Sequence, residues 1–412
     1  MQKSGVVAIL MRQNLDDITW LYPILGGNPE QMRSESPFEP FSDGALGLLN
    51  DLSGVLMRNP LTRTMPDVAT FAFFCRKANL LKLKERFSTK GLRMGRGLVF
   101  HIAPSNVPVN FAYSLICGVL SGNTNIVRVP SKDFKQIEVI TGAIRQVLEK
   151  GEHEIYRTRL CLVRYERGSS ATDFLSAQCD VRIIWGGDET IANIRRSFIP
   201  ARAFDVTFAD RFSICAINAE EYLESGNVEQ LAEGFYNDTY LFDQNACSAP
   251  HLVVWRGSEK IVSNAKKVFW EALYNYTKER YQLADILAVD KLAHFYSQCL
   301  SMEIRHVPAK DNLLWRVEAD ALPVDIDNYR CKAGYFTEFM VNDLQEIVHI
   351  INRKYQTLAY YGFMPEELND FILKSGILGV DRVVPIGKTT EFDLVWDGYN
   401  LINSLTREIT VI

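Results

Sequence analysis

No GxGxxG or GxxxxGK(S/T) element occurs in the 412 residues, so the usual Rossmann and P-loop fingerprints are missing. No two cysteines stand at CxxC spacing and no two of the six histidines at metal-ligand spacing. That argues against a zinc site or a disulfide framework, and no metal is expected. The eight cysteines are instead spread evenly, as suits a reducing cytoplasm. A formal net charge of -5 and the lack of a long Lys/Arg run leave no electrostatic case for nucleic acid. Long apolar runs are scarce too. The longest, Val107 to Leu120, carries Asn110 and Ser114 and falls short of the roughly 20 residues a bilayer span needs. The apolar stretch Gly5 to Met11 stops at Arg12, with no small-residue cleavage site after it. A soluble, cytoplasmic protein is expected.

What is present suits a globular chain of two ordinary domains, with 47% hydrophobic and 23% charged residues and no internal repeat. Leu46, Leu49, Leu52 and Leu56 recur at helical spacing, and the pattern predicts a helical region over 43–84. Aliphatic blocks then alternate with helical ones. Strands are predicted at 97–102, 125–129, 160–163 and 181–185, with helices at 109–120, 134–150, 171–178 and 188–198 between and after them. Such alternation implies right-handed crossovers and a parallel, doubly wound sheet. A second α/β pattern starts near Ile214 and runs through helices at 227–240 and 258–281 around a strand at 252–255. The expected boundaries are 1–213, 214–388, and an extended arm at 389–412.

Two residues carry the most chemistry. Cys247 stands in Asp243-Gln-Asn-Ala-Cys-Ser-Ala-Pro250, an irregular segment at the entrance to a strand. A free cysteine is often only a small buried hydrophobe. The neighbours Asn245, Ser248 and Pro250 suit a partly open setting better than a core strand, and a nearby helix would lower the thiol pKa from about 8.5. Asn106, between Pro104 and Pro108, is held where its amide can stabilise an oxyanion. Together they suggest acyl chemistry on a covalent thioester. His251 is expected to be a surface or packing residue. The turn Trp185-Gly186-Gly187-Asp188 has the form of a phosphate site at a helix N-terminus, although taken alone a plain turn capped by Asp188 is the commoner reading of such a sequence. Arg128, Ser131 and Lys132 follow a strand end, where open α/β sheets place ligands, although solvated charges would look the same.

Four separated segments occur in the order of a known family: His101 to Ser114, Ser121 to Lys132, Asp243 to His251 and Val395 to Asn400. They resemble the LuxC family of long-chain acyl-CoA (fatty-acyl) reductases, a branch of the aldehyde dehydrogenase superfamily. The resemblance implies an aldehyde dehydrogenase-like α/β fold with a doubly wound cofactor-binding domain and a second α/β catalytic domain. It puts Cys247 at the nucleophile and Asn106 at the oxyanion asparagine. Gly186 and Gly187 fall at the cofactor pyrophosphate, Arg128 at the adenosine side and Ser131 at the ribose. A serine there, with Lys132 beside it, leaves room and charge for a 2′-phosphate, so NADPH is the expected cofactor. Phe208 stands where aldehyde-oxidising members carry the glutamate that activates water; Asp210 lies two positions on.

The implied function is NADPH-dependent reduction of a fatty acyl thioester, from acyl-CoA or acyl-protein, to a fatty aldehyde, the chemistry of bioluminescence among other pathways. The alternative is an acyltransferase that passes the acyl group through Cys247 without reduction. An acyl-protein synthetase partner and a homo-oligomer built through 389–412 are further implications.

Overall fold

The computed structural model describes residues 17–23, 26–87, 91–105 and 107–412. The chain forms two compact units, Met1–Ala209 with Tyr399–Ile412, and Asp210–Gly398. The division falls a few residues before 213, because the first strand of the second unit already starts at Phe212. Gly5 to Met11 lies outside the described residues.

In the first unit the strands are β1 (Thr19–Tyr22), β2 (Leu92–Gly95), β3 (Leu98–Ile102), β4 (Thr124–Arg128), β5 (Leu160–Arg164), β6 (Val181–Trp185) and β7 (Phe204–Phe208). Six of them form one sheet in the order β1-β5-β4-β3-β6-β7, parallel except for the β1–β5 pair. β3 and β6 are buried along their whole length, which is why they read as unbroken aliphatic runs rather than alternating ones. Helices Asn110–Leu120 and Lys135–Leu148 connect β3 to β4 and β4 towards β5. The chain leaves β3 towards β4 and β5, then returns to the other side for β6 and β7. The order therefore reverses between β3 and β6. The segments that follow these two strands, Ala103 onward and Gly186-Gly187, flank that switch point, where such sheets bind ligands.

The predicted helical region 43–84 is three helices, Asp43–Arg58, Pro66–Phe74 and Lys77–Phe87. Pro66 opens the second at a position where its missing N–H costs nothing. The stretch 389–412 is not a single extended arm. Tyr399 onward belongs to the first unit, with a short helix at Leu401–Leu405 and a strand at Thr406–Ile409 that pairs antiparallel with β2. The local sequence hides this because Leu401, Ile402 and Leu405 give barely one helical turn of pattern.

The second unit carries β8 (Phe212–Asn218), β9 (Pro250–Arg256), β10 (Ile304–Val307), β11 (Trp315–Ala319), β12 (Tyr335–Val341), β13 (Tyr355–Tyr361) and β14 (Arg382–Pro385). Their order is β10-β11-β12-β9-β8-β13-β14, with only β10–β11 antiparallel. Alternate residues of β8 face two cores. Phe212, Ile214 and Ala216 join one, Cys215 and Ile217 the other, where Trp255, Phe235 and Phe269 pack. Among the described residues no helix is long and apolar enough to cross a membrane.

Candidate functional site

Cys247 lies in a turn immediately before β9, so it stands at the amino ends of the parallel strands of its unit. A short 3₁₀ turn, Tyr240–Phe242, leads into it, and Asp243 and Gln244 both take left-handed φ values of 51° and 58°. That backbone is held by one buried side chain. The Gln244 amide donates to the carbonyls of Pro250 (2.9 Å) and Tyr335 (3.0 Å), and its oxygen accepts from the N–H groups of Gly334 and Tyr335. All the hydrogen-bonding capacity of the amide is thus spent on pinning the cysteine turn to the start of β12. The Ser213 hydroxyl, at the start of β8, donates to the Cys247 carbonyl (2.7 Å) and accepts from the Thr357 N–H (3.2 Å).

The thiol itself has a partner that sequence reasoning missed. Gln356, buried at the start of β13, donates from Nε2 to Cys247 Sγ at 3.2 Å. The same Nε2 donates to the Asp397 carboxylate, and Gln356 Oε1 accepts from the Thr357 hydroxyl at 3.3 Å. Donors and acceptors on both ends of the amide therefore agree on one orientation. Asp397 takes a left-handed φ of 48° ahead of Gly398, a conformation that aspartate tolerates. Arg211 and Arg382 face the same thiol. Arg211 pairs with Asp381, and Arg382 donates to the carbonyls of Thr389 and Glu391 while its guanidinium lies 4.2 Å from the Trp396 ring centre.

The expected lowering of the thiol pKa is reversed. Burial first, and the Asp397 carboxylate second, push Cys247 up to about 11, against smaller opposing pulls from Gln356, Arg211 and Arg382. These pulls only partly offset desolvation. Burial also raises Asp397 above the usual carboxylate value. Cys247 is half-buried, whereas Cys75, Cys117, Cys161, Cys179, Cys215 and Cys331 are buried and Cys299 is exposed. His251 is a packing residue: it is buried, bonds the Cys331 carbonyl through Nδ1 at 2.9 Å, and stacks on Phe212. Asp210 is bonded to Arg330 at 2.6 Å.

In the first unit, Asn106 lies outside the described residues. The two ends of its loop are tied by a buried chain of hydrogen bonds. The Trp185 indole donates to Ser114 Oγ (3.1 Å), Ser114 bonds His101 Nδ1 (2.8 Å), and His101 Nε2 bonds Asn125 Oδ1 (3.0 Å). Asn125 Nδ2 donates to the Asn123 carbonyl, so its Oδ1 accepts from His101 Nε2–H, and Nδ1 of the neutral ring accepts the Ser114 hydroxyl proton. Burial drives His101 down to about 4, so the ring is neutral.

Arg128, at the end of β4, donates to the Tyr165 carbonyl (3.1 Å) and the Ser131 hydroxyl (3.3 Å), and its buried Nε has no partner. Lys132 is exposed beside Phe134. Gly187 caps the helix Asp188–Ile194, and a Cβ there would meet nothing within 4 Å. Phe208 stacks on Trp185 with ring centres 3.7 Å apart. An orphaned guanidinium nitrogen at Arg128 and open space at Gly187 suit a dinucleotide. A groove of about 880 Å³ along the helix Glu259–Thr277 does not include Cys247 and is lined by charges already paired, such as Lys266 with Glu318 and Arg316 with Glu338.

Comparison with known proteins places the chain in a family and a fold. The chain is 20% identical over 305 residues to a long-chain acyl-protein thioester reductase of Vibrio harveyi, and 21% identical over 309 residues to that of Aliivibrio fischeri. Each match takes in 72% of this chain and 60% of the relative. Among solved structures, aldehyde dehydrogenase 21 of Physcomitrella patens superposes with a TM-score of 0.63 at 10% identity, over 88% of this chain and 84% of that one. A Thermus 1-pyrroline-5-carboxylate dehydrogenase with bound NAD gives 0.59 at 14%, over 88% and 77%. These likenesses show an aldehyde dehydrogenase-like α/β fold. Residues 78–408 match the family described as Acyl-CoA reductase (LuxC), a span holding the cysteine turn, the glycine turn and Asp397 alike, and the chain belongs to that family.

Proposed function

We propose that this chain reduces a fatty acyl thioester to a fatty aldehyde through an acyl group carried on Cys247. The observation that supports this most is the setting of the thiol: half-buried, backbone-anchored by Gln244 and Ser213, with an amide N–H on its sulfur. None of the other cysteines shows such a combination among the described residues.

The Cys247 sulfur attacks the thioester carbonyl, the carbonyl pair moves to oxygen, and collapse expels the donor thiol and leaves acyl-Cys247. A reduced nicotinamide dinucleotide, when bound, supplies the hydride that converts the acyl group to a thiohemiacetal. Cleavage of its carbon–sulfur bond releases the aldehyde and restores the cysteine. Asn106 is assigned an oxyanion donor role. Arg128, Ser131 and Lys132 would hold the adenosine side of the cofactor and Gly186-Gly187 the pyrophosphate. The charge at Lys132 and the short Ser131 side chain favour NADPH. Phenylalanine at position 208 offers no carboxylate to activate water, and the Asp210 carboxylate is engaged by Arg330, which favours reduction of the acyl group over its hydrolysis.

A thiol with a pKa near 11 is almost wholly protonated at neutral pH. Acylation therefore speeds up about tenfold per pH unit from pH 7 to 10, as thiolate accumulates. A rate that is flat over that range would contradict a thiol-limited step. Cys247→Ala should form no acyl adduct and release no aldehyde; an active Cys247→Ala enzyme would sink the assignment. Asn106→Ala should be slowed on the order of 10²–10³, the usual cost of an oxyanion donor. The relatives' names favour an acyl-protein donor, and with it an acyl-protein synthetase partner, which co-purification with the full chain tests.

A further inference from the structure

Asp397 lies in the Val395–Asn400 segment, to which the resemblance assigns no role, and Gln356 lies in none of the four segments, yet they meet at the reacting sulfur. We propose that Gln356 is a catalytic residue, whose Nε2–H donates first to the Cys247 sulfur and then to the oxyanion formed on it, and that Asp397 is the positioning residue that holds this amide.

The geometry carries the assignment. Nε2 stands 3.2 Å from Sγ, and the oxygen of a carbon newly bonded to that sulfur arises within reach of the same donor. Gln356 is fully buried, so its N–H is worth more than it would be in water, and no solvent reorganises when charge appears. A freely turning amide would present oxygen to the sulfur half of the time. The Asp397 carboxylate, which only accepts, holds Nε2 in place against that flip, and the Thr357 hydroxyl donates to Oε1 in the orientation that results. Gln356 sits beside Thr357, whose N–H is tied to Ser213, and Ser213 holds the Cys247 carbonyl. Donor and nucleophile therefore share one rigid frame built from β8, β13 and the cysteine turn.

In the acylation step the Cys247 proton goes to solvent, the S–C bond forms and the carbonyl π pair becomes the oxyanion that Gln356 holds. The pair then returns, the bond to the donor sulfur breaks, and the departing thiolate takes a proton from solvent. This rests on acyl transfer to Cys247. The charged groups facing the thiol are Asp397, Arg211 and Arg382, with Asp381 on Arg211.

The test has two arms on the full chain. In the first, iodoacetamide alkylation of Cys247 at pH 8.5 reads the thiolate with no acyl donor present. In the second, mass spectrometry follows acylation by a fatty acyl-CoA. Gln356→Met, which keeps length and loses the donor, should slow alkylation and slow acylation about 100-fold. Should its near-ultraviolet dichroism show a lost fold, Gln356→Glu keeps the shape and carries the same acylation readout. Asp397→Asn removes the charge but keeps an acceptor oxygen for Gln356. Asp397→Gly removes both, at a φ that glycine adopts freely. Asp397→Asn should alkylate at least as fast as wild type, because a negative charge has gone, and Asp397→Gly, which also releases the donor, more slowly than Asp397→Asn. Only Asp397→Gly should acylate slowly.

Equal acylation by the two Asp397 variants would reduce Asp397 to a charge. Wild-type acylation by Gln356→Met or Gln356→Glu would overturn the donor role. Absence of any acyl adduct on the wild-type chain, with the alkylation arm behaving as stated, would overturn the acyl reading and the oxyanion half of this proposal. The contact with sulfur would stand.

Discussion

Gly118 shows how tightly the buried chain around His101 is drawn. A Cβ at that position would stand 1.7 Å from Asn125 Oδ1 and 3.1 Å from His101 Nε2, so the helix Asn110–Leu120 passes the imidazole only because residue 118 has no side chain. Gly118→Ala should cost about 2–3 kcal/mol, read as a lower urea midpoint at unchanged slope, although alanine is the better helix former. His101 also writes a pH signature. Its folded pKa of about 4 lies below the ordinary 6.5, so the unfolded chain binds the extra proton. Its contribution is complete above pH 6.5 and is lost as pH falls towards 4, on the order of 3 kcal/mol in all. Asp238, raised to about 6 by burial, works the other way over part of this range, and His251, lowered to about 3, works in the same direction. The clean measurement is a difference. His101→Gln should flatten the stability–pH curve between 4 and 6.5 by one proton relative to wild type, and an unchanged slope would contradict the assigned neutral ring.

Elements were legible in the sequence where burial made them monotonous. β3, β4, β5, β6 and β9 stand out as aliphatic runs because both of their faces are covered, and β6 spans the predicted 181–185. The C-terminal segment was not legible, because its strand is specified by a partner some 310 residues away. Arg93 donates to Thr406 and to the Asn403 carbonyl, Arg96 to the Ser404 carbonyl, and buried Asn123 to the Leu405 carbonyl. No local pattern announces such ties. They predict that ending the chain at Gly398 strips β2 of its pairing and uncovers the apolar side chains that Leu401, Ile402 and Leu405 bury. Limited proteolysis should then cut rapidly within the first unit. If that unit keeps its native protease resistance, the segment is dispensable to it. The same limit governed the thiol. Cys247 could be singled out by its own neighbours, but Gln356 is 109 positions away and Asp397 a further 41, so only folding brings the donor and its anchor to the sulfur.

For the molecule as a whole, the chain spans about 60% of the length of the curated relatives it matches, so its activity is its own to establish. The two sheets divide the chemistry by position in the strand. The residues proposed to hold a cofactor follow strand ends in the first unit, Gly187 after β6 at the order reversal and Arg128 at the end of β4, beside β3. In the second, Cys247, Ser213 and Gln356 gather at strand beginnings, so the rule that places ligands at strand ends does not locate the cysteine. The most direct test of acyl-cysteine reduction is intact-protein and peptide mass spectrometry after incubation with a fatty acyl-CoA, before and after adding NADPH. The expected result is an acyl mass on Cys247 that disappears on adding NADPH, as fatty aldehyde is released. An acyl-Cys247 that NADPH leaves in place, or that passes intact to another acceptor, would contradict the reductase and mark the chain as an acyltransferase.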